Sequence, residues 1–486
     1  MVMYIGIDLG TSGIKGILLN DNHQIVASHT EKMKVYRPHP LWSEQNPIDW
    51  WEATDKVFLS LSIQYSLKDV KAIGLTGQMH GAVLLDKNGK ILRPAILWND
   101  GRSYRECNEI EENVQNSREI TGNILMPGFT APKIAWVRKH EPEVYQQIDK
   151  VLLPKDYLRW LITGIYASDM SDASGTMWLD VKNRQWNDDL LKACGLTRKN
   201  MPQLFEGNQA TGTVKPELAQ RWGMTSKASV IAGGGDNAVG AIGVGIWRKG
   251  QAMLSLGTSG VYFVASDGFL NNCKQAVHSF CHALPNTWHL MSVMLSAASC
   301  LDWAARIMGI HTVPKLLEMA GQASSIPSSV IFLPYLSGER TPHNNPQANG
   351  MLFGLTHQHD RKDIAKAVIE GVSFGLAEGM EVLHATGLRP DHISLIGGGA
   401  RSSFWRQLLA DITGETLQYR EGGDVGPALG AARLAMLSCH PNVAFGDLLP
   451  EPSIQATYVP NQSVSAQYQE KYQKFKKLYQ AVKGLY

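Results

Sequence analysis

The string Asp8-Leu9-Gly10-Thr11-Ser12-Gly13 packs a carboxylate, glycines and hydroxyls into one short turn, and it recurs without the aspartate as Leu256-Gly257-Thr258-Ser259-Gly260. Glycine lets backbone N–H groups approach a ligand closely, and Thr and Ser hydroxyls add donors. Two such turns facing across a cleft would grip a polyphosphate from both sides. Asp8 alone could hold a metal ion through water. Mg²⁺ suits that arrangement, because it keeps several waters and needs only one or two carboxylates when phosphates supply the rest. Lys15 could neutralise a phosphate, or it could be an ordinary surface lysine.

Asp236 follows Gly233-Gly234-Gly235 and opens an expected helix. It can serve as an N-cap, as a base accepting a hydroxyl proton, or as both. Gly397-Gly398-Gly399-Ala400 stands between an expected strand and helix. It lacks the full Gly-x-Gly-x-x-Gly spacing and fits better as a flat platform for an adenine ring. No Gly-x-x-x-x-Gly-Lys-Ser/Thr occurs. Met79-His80 lies in a strand-end loop, where a histidine can touch a ligand or simply brace the loop. His278 and His282 flank Cys281 on an expected strand, without the further cluster that zinc requires.

These residues need a scaffold, and hydrophobic periodicity supplies one. Strands are expected at 3–9, 14–19, 24–30, 70–75, 82–86, 95–98 and 230–232. Helices are expected at 48–62, 103–115, 131–140, 155–163 and 238–245. The second half restarts with strands at 251–256, 261–265, 277–283 and 288–294. Helices follow at 296–308 and 360–386, then a strand at 392–396, a helix from Ser402 and another over 426–438. Residues 465–486 read as a surface helix closing the domain. Each half thus opens with a strand meander and continues with alternating strands and helices. The pattern predicts two α/β domains, 1–246 and 247–486, with a deep cleft and a hinge near Trp247-Arg248-Lys249-Gly250.

Composition narrows the function classes. A length of 486 residues exceeds one ordinary core. A net charge of +2 gives no polyanion-binding surface, so nucleic acid is not an expected partner. No apolar run approaches the roughly 20 residues of a membrane span. The cysteines Cys107, Cys194, Cys273, Cys281, Cys300 and Cys439 contain no Cys-x-x-Cys pair. Reduced thiols and a cytoplasmic location are expected.

Longer motifs carry a resemblance. Gly128-Phe129-Thr130-Ala131-Pro132-Lys133-Ile134-Ala135-Trp136 resembles the first signature of the FGGY family of carbohydrate kinases. Gly350-Met351-Leu352-Phe353-Gly354-Leu355, continuing through Asp363 to Glu370-Gly371, resembles the second. The resemblance covers essentially the whole chain and is closest to the bacterial xylulose kinases. It implies a duplicated, actin-like (ribonuclease-H-type) fold, with sugar in the first domain and ATP in the second. It implies Asp236 as catalytic base, Asn237, Met79 and His80 as sugar contacts, and Trp98 as an apolar wall. It further implies Asp8 for Mg²⁺, and Thr11, Ser12 and Lys15 for the transferred phosphate. Gly257, Thr258, Gly398 and Gly399 would serve the nucleotide.

The implied reaction is ATP-dependent phosphorylation of D-xylulose at C5 by a homodimer. Met79-His80 stands where related glycerol kinases carry an Arg-Glu pair, which argues against glycerol. Trp42-Ser43-Glu44-Gln45 and Gly338-Glu339-Arg340-Thr341-Pro342-His343 resemble xylulose kinases. The alternatives are a kinase of L-xylulose or D-ribulose and an actin-like nucleotide switch.

Overall fold

A computed structural model describes residues 2–323, 326–420 and 426–486. In Met3–Leu9, alternate side chains sort to opposite faces of a sheet, as the strand period demands. Met3, Ile5, Ile7 and Leu9 bury against Trp50, Val57 and Leu61 of the Pro47–Gln64 helix. Tyr4 faces the other way, into a separate core. Met3–Leu9 pairs antiparallel with Gly13–Asn20 and parallel with Val70–Gly77. The full sheet runs Ala210–Thr213, Ser229–Ile231, Val70–Gly77, Met3–Leu9, Gly13–Asn20, Ile25–Lys32, and Gly234–Gly235 pairs beside the end of Val70–Gly77.

The second half repeats this plan. Gln251–Leu256 pairs antiparallel with Gly260–Ser266 and parallel with His392–Ile396. That sheet also contains His278–Cys281, Trp288–Met294, Leu417–Arg420 and Ile454–Tyr458. The duplication expected from the two turns is therefore the organising feature of the fold, which is a two-domain α/β architecture.

Chain halves and packing units do not coincide everywhere. The Pro427–Cys439 helix belongs to the second half but covers the sheet of the first. A Cβ at Gly6 would lie 1.9 Å from the Ala428 carbonyl oxygen, and one at Gly430 would lie 1.8 Å from that of Val239. Only glycine permits so close a crossing. The closing helix runs Gln462–Val482 and buries Tyr468, Tyr472, Phe475 and Tyr479 on one stripe. Each such side chain contributes about 1.5–3 kcal/mol of burial.

Two boundaries depart from expectation with consequences for the site. The strand expected over 95–98 stops at Ile96. The Leu97 N–H turns instead to the Ser43 carbonyl at 2.9 Å, which leaves Trp98 in a loop. The Asp236–Gly243 helix starts two residues earlier than the pattern suggested, with Gly235 as its N-cap residue. Asp236 is thus the first helical residue, and the capping role weighed for it falls away. Several short helices are additional to the expected set, among them Met170–Ser174, Asp188–Ala193, Pro216–Trp222 and Val313–Gly321.

Candidate active site

Three neighbouring segments bring the first group of residues together. Asp8 lies beside Thr76 in the parallel register, and Gly234 lies beside Thr76 on the other side. The chain turns at Gly233, which has φ +69°. A Cβ there would meet the Leu75 carbonyl oxygen at 1.7 Å. This tight turn delivers Asp236 to the carboxyl-terminal edge of the sheet, the usual location for ligand chemistry in open α/β sheets.

The two carboxylates sense each other. Burial pushes Asp8 up to about 7; the charge of Asp236 adds to the shift and Lys15 opposes it. Lys15 is the direct cross-strand neighbour of Asp8, which places its side chain on the same face. Burial also raises Asp236, to about 6, against the hydrogen bonds it accepts from Asn237. Those come from the Asn237 N–H at 2.8 Å and its Nδ2 at 3.0 Å, both to Oδ1. Oδ2 makes neither of these bonds.

Asp236 and Asn237 line a cavity of about 270 Å³ together with Met79, His80 and Trp98. All the expected sugar contacts therefore share one cavity. Its opposite wall comes from the second half, through Ser259, Val261, Met291 and Val293. His80 has φ +69° and is fixed by its neighbours. Its Nδ1–H donates to the Gly175 carbonyl at 2.8 Å, leaving Nε2 as an acceptor. Burial and then the charge of Lys133 push its pKa down to about 3, so the ring is neutral.

Trp98 is 40% exposed and its indole Nε1–H donates to Thr11 Oγ1 at 2.9 Å. Thr11 in turn donates to Gln78 Oε1 at 3.0 Å. Gln78 Nε2 donates to Gln45 Oε1, which also accepts from Trp50 Nε1, each at 3.0 Å. The hydroxyl expected on phosphate thus also steers Trp98 in the wall of this cavity. Ser12 is exposed at the turn tip.

A larger cavity, about 820 Å³, is lined by Gly257, Thr258, Gly398 and Gly399, with Leu317, Phe404 and Trp405 among its apolar walls. The four residues expected on nucleotide are all there. The two cavities meet at the second turn, where Thr258 faces one and Ser259 the other. The carbonyls of Gly257 and Thr258 accept from the N–H groups of Ala298 and Ala297, both at 3.0 Å, which fixes the turn to the next helix.

The N-terminal domain of the FGGY family of carbohydrate kinases matches residues 3–243, and the C-terminal domain of that family matches residues 252–439. This chain belongs to the FGGY family of carbohydrate kinases. It is 61% identical to a xylulose kinase of Escherichia coli (strain K12), over 98% of this chain and 99% of the other. A xylulose kinase of Klebsiella pneumoniae is 58% identical over 99% and 100% of the two chains. The crystal structure of a xyloylose kinase from Brucella ovis superposes with a TM-score of 0.95 at 44% identity, with all of both chains covered.

In this FGGY chain the first signature acts on His80. Lys133 Nζ donates to the carbonyls of His80 and Gly128, each at 2.7 Å, and Thr130 Oγ1 donates to the His80 carbonyl at 3.2 Å. Burial pushes the Lys133 ammonium down to about 7. The motif was legible as a string, but its task was not. Glu44, in the other quoted string, pairs with Arg93 and Arg102, and Arg102 lies 3.5 Å from the centre of the Trp42 ring. Asp100 accepts from Arg102 and from the Ser43 N–H, so this network holds the loop that carries Trp98.

A buried charge cluster was missed altogether. Lys155 Nζ lies 2.7, 2.6 and 2.8 Å from carboxylate oxygens of Asp156, Asp169 and Asp172. Among the described residues these carboxylates have metal-ligand spacing, but the ammonium already fills their centre. The cluster braces the turn that precedes Asp236. Asp169 accepts from Ser171 Oγ at 2.5 Å, and Ser171 Oγ accepts from the Gly235 N–H at 3.0 Å. Arg159 bonds the Asp156 carboxylate and the Ala232 carbonyl.

Proposed function

We propose that this chain transfers the γ-phosphoryl group of ATP to the C5 hydroxyl of D-xylulose, giving D-xylulose 5-phosphate and ADP. The observation that carries this reading is the pair of cavities meeting at one turn. The smaller gathers Met79, His80, Trp98, Asp236 and Asn237. The larger is lined by Gly257, Thr258, Gly398 and Gly399. The names of the E. coli and K. pneumoniae relatives support the choice of sugar.

In this reading Asp236 accepts the hydroxyl proton, late in the transfer, because a loose transition state needs little activation of the nucleophile. Its partly desolvated carboxyl has a raised pKa suited to that task. His80 Nε2 and Asn237 orient the sugar, and Trp98 walls it in. Thr11, Ser12 and Lys15 face the transferred phosphoryl group. Two mutually repelling carboxylates fit a divalent cation, and Asp8 would hold Mg²⁺ there, with Lys15 beside it. When bound, the ion supplies neutralisation of phosphate charge. The lobe boundary at 246/247 is supported by the helix ending at Gly243 and the strand opening at Gln251.

The test is ATP turnover with D-xylulose, L-xylulose, D-ribulose and glycerol, with the product followed by phosphorus NMR. Saturable stimulation is expected, strongest with D-xylulose. Turnover that ignores every sugar would favour a nucleotide switch. Sedimentation of the purified chain tests the homodimer that accompanies this reading.

A further inference from the structure

The sugar cavity contains a cation that the reaction as described leaves without a task. Arg340 lines it from the second half, in the same cavity as Asp236. Its loop is sewn to the Trp288–Met294 strand. The Thr341 N–H donates to the Val293 carbonyl and the Val293 N–H to Thr341 Oγ1, both at 3.1 Å. Thr341 Oγ1 then donates to the Ala276 carbonyl at 2.8 Å.

The neighbouring Glu339 does not pair with the guanidinium. Its Oε1 accepts from the backbone N–H groups of Leu295 and Arg340, at 3.0 and 2.7 Å. Burial pushes that carboxyl up to about 8, so it is largely uncharged at neutral pH. Among the described residues, the one side-chain bond at the guanidinium runs from Nη1 to His278 Nε2 at 3.5 Å.

That bond has a defined direction. Asn123 Nδ2 donates to the carbonyls of Thr121 and Ser279, at 2.8 and 2.9 Å. Asn123 Oδ1 must therefore accept, and it takes His278 Nδ1–H at 3.0 Å. His278 is left with a bare Nε2, which receives Arg340. A relay beginning in the first half thus aims an arginine of the second half into the cavity.

The other ring and amide donors of the wall are committed, save one hydrogen of Asn237 Nδ2. Trp98 Nε1 bonds Thr11, His80 Nδ1 bonds Gly175, and one hydrogen of Asn237 Nδ2 bonds Asp236. Arg340 carries five N–H donors in a planar fork and brings the strongest surplus of donors to the site. The substrate chemistry calls for such a group. In a 2-ketopentose the C5 hydroxyl is the one that closes the furanose ring. A sugar phosphorylated at C5 is therefore bound open-chain, with a free C2 carbonyl that can only accept hydrogen bonds.

We propose that Arg340 is the residue that recognises the C2 carbonyl of the open-chain ketose, held in place by the Asn123–His278 relay. The proposal rests on the sugar-kinase reading above and names how that site selects its substrate. Loss of a charged hydrogen bond to a substrate oxygen weakens binding by about 10- to 100-fold.

The experiment compares D-xylulose with xylitol and D-arabinitol, which replace the carbonyl by a hydroxyl. KM for the ketose and competitive inhibition constants for the pentitols are measured in the wild type, Arg340→Met, Arg340→Lys and His278→Phe, with thermal melts as a fold check. Arg340→Met is expected to raise the ketose KM by about 10- to 100-fold, more than it lowers kcat, and to cut the ketose-over-pentitol preference by at least about tenfold. Arg340→Lys should recover part of that preference, and His278→Phe should lose a smaller part of it. Equal weakening for ketose and pentitols, or an unchanged preference, overturns the role of Arg340. Wild-type turnover with D-xylulose tests the underlying reading by itself, and its absence overturns both.

Discussion

The two Gly-Thr-Ser-Gly turns sit at the same place in two copies of one sheet, yet they relate differently to the cavities: the first holds Trp98 through Thr11, whereas the second lines both, through Thr258 and Ser259. In each copy a hairpin strand runs parallel to a later strand, Val70–Gly77 in one and His392–Ile396 in the other. After the first of these comes Gln78-Met79-His80, rich in side chains. After the second comes Gly397-Gly398-Gly399, with none. Where the first hairpin strand has Asp8, the second has Ser255. The duplication supplies two cradles. A handful of substitutions then divides the work, carboxylate and polar side chains on one side and a bare glycine surface on the other.

The sharpest way to break this division is at Asp236. Asp236→Ala is expected to lower turnover by about 10²–10⁴ with both substrates saturating. Near-normal turnover would remove Asp236 from its assigned role. Asp8→Ser, which gives the first turn the residue of the second, should cost about 10² in turnover and raise the Mg²⁺ concentration needed for half-maximal rate. A Mg²⁺ titration reads both effects.

The nucleotide side should respond separately. A Cβ at Gly398 meets no protein atom within 4 Å, so Gly398→Val intrudes on the cavity rather than on the fold. The KM for ATP should rise about tenfold, with that for sugar little changed. A parallel rise in both would contradict the separation of the two sites.

Smaller effects follow from pH and stability. Asp236 must be ionised to accept a proton, so turnover should fall as pH is lowered through about 6. The same raised pKa means that the fold disfavours the ionised form. Asp236→Asn should therefore melt roughly 2–4 °C higher than the wild type at pH 8. That advantage should vanish once pH falls below roughly 4, where the group is protonated in the unfolded chain as well. An equal melting difference at both pH values would contradict the assignment of the shift to this carboxyl.

Much of this arrangement was legible in sequence because its parts are local. Glycine turns bounded by Ile, Leu and Val mark both hairpins, and Gly233-Gly234-Gly235 marks the turn that delivers Asp236. What stayed hidden depends on contacts between distant segments. The Pro427–Cys439 helix reads as an apolar helix wherever it lies, and only the close approach of Gly6 and Gly74 to its Ala428 and Ala431 carbonyls shows which sheet it covers. Lys155 and its three aspartates are ordinary surface residues until folding buries them together. Lys133 and Arg340 were quoted within motifs, but a motif gives identity without direction. The bonds that hold His80 through Lys133 and join Arg340 to His278 become visible only in the folded chain. Thr11 shows the same limit, since its bond to Trp98 spans 87 positions.

The central claim is that one carboxyl group stands where a sugar hydroxyl and a terminal phosphate converge. A crystal structure with D-xylulose and a non-hydrolysable ATP analogue tests it most directly. The account predicts the C5 hydroxyl within hydrogen-bond distance of Asp236, the terminal phosphate against Thr11 and Ser12, and the nucleotide along Gly257 and Gly398. A sugar with its C5 hydroxyl turned away from Asp236, or a nucleotide outside that glycine-lined cavity, would contradict it.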